Sequence, residues 1–235
     1  RANITYFGQN LSGSYFQSRL GQWNLSFGYN NTDTGLVLLM HLDNESRYGE
    51  NQTYVVDFAM NQYKNNGTAY GIIATTPINS SGPTNSSDIT LGLSKFGNAF
   101  KFDGVNDYVD FGDLSAVEGL TEMTVSSWVY LNELNADHPI VAKHDGSIGF
   151  TLLFDNVDPD TNTDTFSLLI NAGTTPCNLG GVTNAAKAGQ WQHVIAIFNI
   201  INIRLFVNGI EDAQSPVSCS GDMTFPTGTA KLRIG

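Results

Sequence analysis

The chain has 235 residues, only 14% of them charged, and a formal net charge of −11. Nucleic-acid binding needs Lys and Arg to displace counterions, so this balance argues against nucleic acid as a partner. The length accommodates one large all-β domain, or a domain with an appendage, around a hydrophobic core.

The first segment, residues 1–34, is aromatic and rich in Asn. We interpret it as the tail of a preceding β module or a linker. The alternative, an N-terminal strand of the main domain, fits the pattern equally well. The chain begins with Arg1 and shows neither a signal peptide nor an apolar run near the roughly 18 residues that span a bilayer. We therefore expect a mature or excised piece without membrane insertion.

Asn-x-Ser/Thr sequons are confined to the first part of the chain. Nine of the twelve asparagines before residue 88 begin a sequon, and none of the twelve after it does. Such a site accepts a glycan only in an exported chain and on exposed surface. The pattern predicts an extracellular or cell-surface glycoprotein with a bare region after residue 88, unless an Asn-rich composition matches by chance. The predicted sites are Asn3, Asn10, Asn24, Asn30, Asn44, Asn51, Asn66, Asn79 and Asn85.

Alternating or β-branched runs between turn residues recur along the chain and predict many short strands, typical of a β-sandwich. Asp103-Gly104 and Asn208-Gly209 are tight-turn pairs, and only Leu114–Leu120 predicts a short helical turn. The predicted strands are Leu36–Leu42, Ala99–Phe102, Tyr108–Phe111, Met123–Leu131, Phe150–Phe154, Phe166–Ile170, Trp191–Phe198, Ile203–Val207 and Lys231–Ile234.

Two cysteines, Cys177 and Cys219, are present. In an exported chain they predict one disulfide; the alternative is two separate buried thiols.

Four stretches resemble a known family: residues 35–43, 93–110, 123–131 and 189–209. Their order and spacing resemble the laminin-G-like modules of the concanavalin A-like lectin/glucanase superfamily, of the type found in archaeal surface proteins. The resemblance implies that residues 35–235 form a jelly-roll sandwich of two antiparallel sheets. It also implies that Phe100, Phe102, Trp128 and Trp191 lie in the core, leaving Trp23, Tyr63 and Tyr70 as candidates to stack on a sugar ring.

Members of the family normally continue with a further strand that pairs with the first one, whereas this chain stops at Gly235. We therefore expect the sandwich to lack its last strand. Leu36–Leu42 would then have one unpaired edge, completed by a flanking segment or by a neighbouring copy that donates a strand.

Two sets of oxygen side chains are candidate ligands for a structural calcium. In the first set, the oxygen-bearing residues occupy alternate positions of one loop, as they do in calcium-binding loops. An acidic hairpin tip that is simply exposed to solvent would have the same pattern. The second is implied by the resemblance, since laminin-G-like modules often hold calcium beside their first long loop. The candidates are Asp158, Asp160, Asn162 and Asp164, or Asp43, Asp57 and Asp103.

No carboxylate pair has the spacing of the superfamily's glucanases, and no nucleophile or phosphate-loop motif occurs, so we predict that the chain is not an enzyme. The first functional hypothesis is a surface glycoprotein module for carbohydrate or ligand binding, or for adhesion. The alternatives are a structural subunit of an extracellular filament or surface layer, and an accessory domain of a glycoside hydrolase.

Overall fold

The computed structural model describes residues 15–19, 22–26, 35–42, 46–51, 53–59, 65–70, 84–85, 99–146, 148–156, 164–171, 176–182, 185–199, 201–219 and 229–235. Within these ranges the helical structure is two 3-10 turns, Ser46–Tyr48 and Ser115–Val117. No helix in this part of the chain has the length or hydropathy to cross a membrane. The strands are β1 Tyr15–Arg19, β2 Gln22–Ser26, β3 Tyr54–Val55, β4 Gly67–Tyr70, β5 Thr84–Asn85, β6 Phe100–Lys101, β7 Tyr108–Asp110, β8 Glu122–Tyr130, β9 His138–His144, β10 Gly149–Asn156, β11 Asp164–Asn171, β12 Pro176–Gly180, β13 Trp191–Asn199, β14 Asn202–Val207, β15 Ile210–Glu211, β16 Val217–Ser218 and β17 Leu232–Ile234.

Two antiparallel sheets make up the body of the molecule. The larger has eight strands in the order β12-β11-β10-β9-β17-β7-β4-β3. The smaller has five, in the order β15-β14-β13-β8 with β16 also paired to β14. The predicted sandwich of two antiparallel sheets is therefore confirmed. Two further pairs, β1–β2 and β5–β6, form separate two-stranded sheets.

Alternating burial along the strands builds the core between the sheets. Every second residue of β13 is buried and the residues between are half-buried, as expected for a strand with one face inward. The inward residues of both sheets form one apolar cluster. Its largest fully buried side chains include Phe150, Phe154 and Phe166 from the larger sheet and Phe198 and Leu205 from the smaller.

The strand predicted at Leu36–Leu42 is wrong, because this segment forms no strand. At its centre, Leu39 bonds to one carboxylate and to one backbone amide of residues 57–58. The Leu39 amide donates to Asp57 Oδ1 at 3.0 Å, and the Leu39 carbonyl accepts from Phe58 N at 2.7 Å. The other predicted strands are present within a few residues of their expected ends, and so is the helical turn within Leu114–Leu120.

The Asn208-Gly209 pair forms the predicted tight turn between β14 and β15. Both residues have positive φ, 53° and 80°, as a two-residue type I′ hairpin requires. The Asn208 side chain also accepts a hydrogen bond from His193 N at 2.9 Å, which ties the turn to β13.

The Cys177–Cys219 disulfide is present, as predicted, with 5.5 Å between the Cα atoms. Cys177 lies on β12 of the larger sheet, and Cys219 directly follows β16 of the smaller one. The bond therefore fastens the two sheets together at one side of the sandwich.

Replacing both cysteines by serine should lower the free energy of unfolding by about 4 kcal/mol, the chain-entropy value for a loop of this length. The loop spans a sequence separation of 42 residues. Urea denaturation of the oxidised parent and the double variant measures the difference. Equal midpoints and slopes would contradict the expectation.

Candidate functional site

A row of residues crosses the solvent-facing side of the larger sheet. Strand pairing sets these residues opposite one another from β3 to β12, while their sequence neighbours Val55, Val109 and Ile234 face the core. The row is Tyr54, Thr68, Asp110, Arg233, Ala142, Thr151, Leu169 and Asn178. Tyr70 and Tyr108 form the adjacent pair. We refer to Tyr54, Tyr70, Tyr108, Asp110 and Arg233 as the tyrosine face.

The centre of the tyrosine face is a stack of three planar groups on neighbouring strands. The rings of Tyr70 and Tyr108 lie 5.0 Å apart with 21° between their planes. The Arg233 guanidinium carbon lies 4.7 Å from the centroid of the Tyr108 ring. Tyr108 is thus held between Tyr70 and Arg233, and Tyr70, at the outer end, is 43% exposed.

Asp110 supplies the negative charge beneath this stack. Its Oδ1 accepts from Gly112 N at 2.7 Å, and its Oδ2 from Lys231 Nζ at 3.1 Å, with Arg233 Nε at 3.6 Å. Burial alone would raise the pKa of Asp110. The Gly112 hydrogen bond and the two cations outweigh burial, so the pKa lies below its usual value and the group is ionised at neutral pH.

Tyr54 forms the rim of the tyrosine face and is 40% exposed. Its hydroxyl accepts a hydrogen bond from Asn66 Nδ2 at 2.6 Å. The same Asn66 side chain accepts from Asp57 N at 2.9 Å through Oδ1. The amide of Asn66, a predicted glycan acceptor, therefore has a structural role at the rim.

These groups are the kinds that recognise a sugar. Aromatic rings offer an apolar surface with a polar end, and a guanidinium offers several donors in one plane. Tyr70, predicted as a sugar-stacking candidate, lies here. Tyr63 lies outside the described residues, and for Trp23 only the backbone of β2 is described.

A second aromatic group lies on the outer side of the smaller sheet. It includes Trp128, which was predicted to lie in the core. Trp128, expected in the core, is 38% exposed. Its position on β8 faces outward with Ser126, whereas Val129 faces the core. The Trp128 ring stacks on His193, 4.8 Å between centroids, and Ser126 Oγ lies 2.8 Å from His193 Nε2. Burial lowers the pKa of His193, so it is neutral at pH 7.

Two of the three described calcium candidates accept hydrogen bonds from backbone amides. Asp57 accepts from Leu39 N and Ala59 N through Oδ1, and from Asn65 N through Oδ2. Asp103 Oδ1 accepts from Val105 N and Asn106 N. Asp164 is buried at the start of β11. Asp43, Asp158, Asp160 and Asn162 lie outside the described residues.

Within the described ranges no three His, Cys, Asp or Glu side chains group as metal ligands, so calcium stays a prediction. The contacts of Asp57 reveal another role for that residue. It ties residues 35–42 to the loop before β4, the link that the resemblance attributes to calcium.

Four of the nine sequon asparagines fall within the described ranges. Asn24 lies on β2 and Asn85 on β5, while Asn51 and Asn66 flank the β3–β4 hairpin. Asn51 is exposed, and its Oδ1 accepts from both the amide and the hydroxyl of Thr53, at 2.9 and 2.8 Å. Asn3, Asn10, Asn30, Asn44 and Asn79 lie outside the described residues.

Comparison with known proteins identifies the family. The family model Laminin_G_3, described as the concanavalin A-like lectin/glucanases superfamily, matches residues 102–235, more than half of the chain. The chain belongs to this family. No curated protein matches this Laminin_G_3 chain in sequence.

Several solved structures are similar to the Laminin_G_3 chain, and three of them are described here. Domain 4 of AbnA, a GH43 extracellular arabinanase from Geobacillus stearothermophilus, in complex with arabinotriose, has 19% identity and a TM-score of 0.52; the match covers 76% of each chain. At that identity it shows a shared fold.

The other two have TM-scores below 0.5 and add no argument. The carbohydrate-binding module CBM66 from Bacillus subtilis has 9% identity and a TM-score of 0.37, covering 60% of this chain and 80% of that one. Domains LG4-5 of the mouse laminin alpha1 chain have 15% identity and a TM-score of 0.38; the match covers 49% of this chain and 28% of that one. None of the three supports an archaeal origin.

The lowered pKa of Asp110 predicts an acid-sensitive contribution to stability. A group whose pKa is depressed in the folded state stabilises it above the unfolded pKa, and the contribution is lost as pH falls through the folded pKa. Asp110→Asn should therefore be less stable than the parent at pH 7, and the gap should shrink steadily below about pH 4. Denaturation midpoints across pH 2 to 7 measure it; a constant gap would contradict the assignment.

Asn51 should carry a glycan more often than Asn66. Asn51 is exposed with its Nδ2 outside the Thr53 contacts, whereas Asn66 Nδ2 is hydrogen-bonded to Tyr54. Glycopeptide mapping of protein from a glycosylating host gives both occupancies. Thr53→Ala should abolish the Asn51 glycan and Thr53→Ser should retain it; higher occupancy at Asn66 would show that the contacts do not decide.

Proposed function

We propose that this chain is a non-catalytic, extracellular carbohydrate-binding module whose ligand lies on the tyrosine face. The observation that carries the proposal is the Tyr70–Tyr108–Arg233 stack. Tyr70 offers an exposed ring, and Arg233 beside it offers donors for sugar hydroxyls. Binding sites of this kind combine apolar surface with a few placed polar groups.

Asp110 fits a binding role better than a catalytic one. Retaining glycoside hydrolysis uses two carboxyl groups about 5 Å apart, one of them a proton donor. Asp110 is held ionised, and both of its oxygens accept hydrogen bonds from the protein. Its work is to orient Lys231 and Arg233, which leaves the cations in place for a ligand.

The sugar class to test first follows from the shared fold. The arabinanase domain of similar fold is described with arabinotriose, so arabino-oligosaccharides are the first probes and hexose oligosaccharides the comparison. The same likeness supports the accessory-domain alternative, in which this module would bring a hydrolase to its polymer. Location outside the cell is supported by the disulfide and by the sequons.

A second candidate is a structural subunit of an extracellular assembly. The outer edge of β8 favours it, because among the described strands β8 pairs only with β13. An open edge accepts a strand from another molecule. In such an assembly the tyrosine face, on the other sheet, would remain accessible.

Tyr70→Ala should weaken oligosaccharide binding at least tenfold, about 1.4 kcal/mol, because it removes the exposed ring without touching the core. Arg233→Lys keeps the charge but loses the planar fork, and should weaken binding as well. Isothermal titration calorimetry with arabino-oligosaccharides measures both.

Trp128→Ala is the matched control, since it removes an equally exposed aromatic ring from the other sheet. Its affinity should equal that of the parent. Lost binding in Trp128→Ala with retained binding in Tyr70→Ala would move the site to the smaller sheet. Absence of binding to every oligosaccharide tested would reject the proposed function.

A further inference from the structure

One lysine points into the core of the sandwich. Lys143 lies on β9 opposite Phe150 of β10 and Leu232 of β17, both of which are core residues at most 3% exposed. The Lys143 side chain is itself only 7% exposed. Lysine is rarely buried to this extent unless its ammonium is paired, because removing a charge from water is costly. The role of Lys143 therefore depends on the groups around its ammonium.

Protein oxygens surround the Lys143 ammonium. Nζ donates to Asp113 Oδ1 at 2.7 Å and to the Ala230 carbonyl at 2.6 Å, and Glu118 Oε1 lies 3.5 Å away. The 3-10 turn Ser115–Val117 brings the two acidic residues together. Its first amide donates to the Asp113 carbonyl, and its first carbonyl accepts from Glu118 N, both at 3.0 Å. An amine and two carboxyl groups thus meet at one place.

Asp113 and Glu118 also contact each other. The hydrogen bond from the Lys143 ammonium lowers the pKa of Asp113 below its usual value, and a hydrogen bond with Glu118 acts in the same direction. A hydrogen bond between two carboxyl groups contains a proton, and so offers a path for proton transfer between them. Lys143 and Asp113 therefore rest as an ion pair, beside a third group that can carry a proton.

We propose that Lys143 and Asp113 join in an intramolecular amide bond, with Glu118 as the residue that moves the protons. The nucleophile is the lone pair of Lys143 Nζ, and its target is Asp113 Cγ. Because Cγ is one bond away from Oδ1, it lies within about 4 Å of Nζ, near the separation of about 3–3.5 Å from which positioned groups react. The cross-link is independent of the tyrosine face and of sugar binding.

The reaction is a condensation, in which no group is oxidised or reduced. One proton first passes from the Lys143 ammonium to Asp113 through their hydrogen bond, which leaves a neutral amine and a carboxylic acid. Nζ then attacks Cγ, and the new N–C bond forms as the C=O electron pair moves to oxygen. Glu118 takes a proton from Nζ and gives one to the departing hydroxyl. The C–O bond breaks, water leaves, and one amide replaces one ammonium and one carboxylate.

The surroundings fit the amide as well as they fit the ion pair. The amide nitrogen keeps one hydrogen, for which the Ala230 carbonyl is the acceptor. The amide oxygen can accept from Glu118, so each polar atom of the product keeps a partner. Burial favours the product, because two charges become one neutral group. The Asp113 side chain is 45% exposed, which gives the released water a route to solvent.

The intact mass of the full chain tests the bond without any substitution. Protein is made in a host that adds no N-glycans, and it is reduced so that the Cys177–Cys219 disulfide no longer contributes to the mass. The chain should then weigh about 18 Da less than its sequence, which corresponds to one water.

Digestion locates the bond. Trypsin cuts after a free lysine side chain, so the digest should read through Lys143. Further cleavage after Glu122 and Glu133 should leave the segments on either side joined. The matched control is a second ion pair in the same chain. Lys231 lies 3.1 Å from Asp110, but its side chain is 53% exposed, and trypsin should cut after it normally.

Two variants separate the amide from the ion pair. Lys143→Arg keeps a positive charge beside Asp113, but a guanidinium stays protonated and is not a nucleophile, so its mass should equal that of its sequence. Glu118→Gln keeps the size of the side chain and removes the proton carrier. At least about tenfold less of this variant should be linked. Circular dichroism checks that both variants fold.

The parent chain gives the decisive result even if a variant fails to fold. A parent mass equal to the sequence mass would overturn the proposal and leave Lys143 in an ion pair. A loss of water that maps to another pair of residues would overturn it as well. Linkage undiminished in a folded Glu118→Gln would overturn the role assigned to Glu118.

Discussion

Closure of two sheets over one apolar layer is the constraint on which the remaining structure depends. Fully burying a side chain such as Phe150 or Phe198 contributes about 1.5–3 kcal/mol, and both are at most 2% exposed. Because side chains alternate along a strand, a slip of one residue would turn these rings to solvent. The core therefore fixes the register of every strand that contributes to it, and with the register it fixes which residues face outward.

The tyrosine face follows from this register. On β7, Val109 is fully buried, so Tyr108 and Asp110 must point to the opposite, outer side of the sheet. On β4, a side chain at Gly67 would come within 2.6 Å of Val109 and Phe111, so the strand can lie this close to the core only with glycine there. The position of β17 is restrained by Lys143 of β9. Its buried ammonium donates to Asp113 at 2.7 Å and to the carbonyl of Ala230, just before β17, at 2.6 Å. These three restraints bring Tyr70, Tyr108 and Arg233 side by side.

Sequence patterns predicted the sandwich and most long strands because alternation is a local property of the chain. They failed where the structure depends on contacts between residues far apart in the sequence. Leu36–Leu42 is apolar enough for a buried strand, yet the Asp57 carboxylate takes its Leu39 amide. The match to the family predicts Trp128 in the core from its residue type and its position in the motif. Its exposure depends instead on which face of β8 it lies on and on what covers the edge of that strand. Tyr70 was a candidate from its type alone, whereas Arg233 and Asp110 were missed because only β17 and β7, far apart in sequence, bring them together.

The predicted glycan acceptor Asn66 lies at the rim of the tyrosine face. Asn66 holds the Tyr54 hydroxyl through Nδ2 and the Asp57 backbone through Oδ1. A glycan on Nδ2 would leave only one proton on that nitrogen and would place a covalently attached sugar beside Tyr54. That sugar would have a high effective concentration at the tyrosine face, and would compete with a free oligosaccharide for the proposed site. Asn51 lies before β3, and its side-chain oxygen is held by Thr53 instead, so a glycan there leaves the Asn66–Tyr54 contact intact. An open tyrosine face therefore requires Asn66 to keep its structural hydrogen bonds, whatever the occupancy of the other sequons.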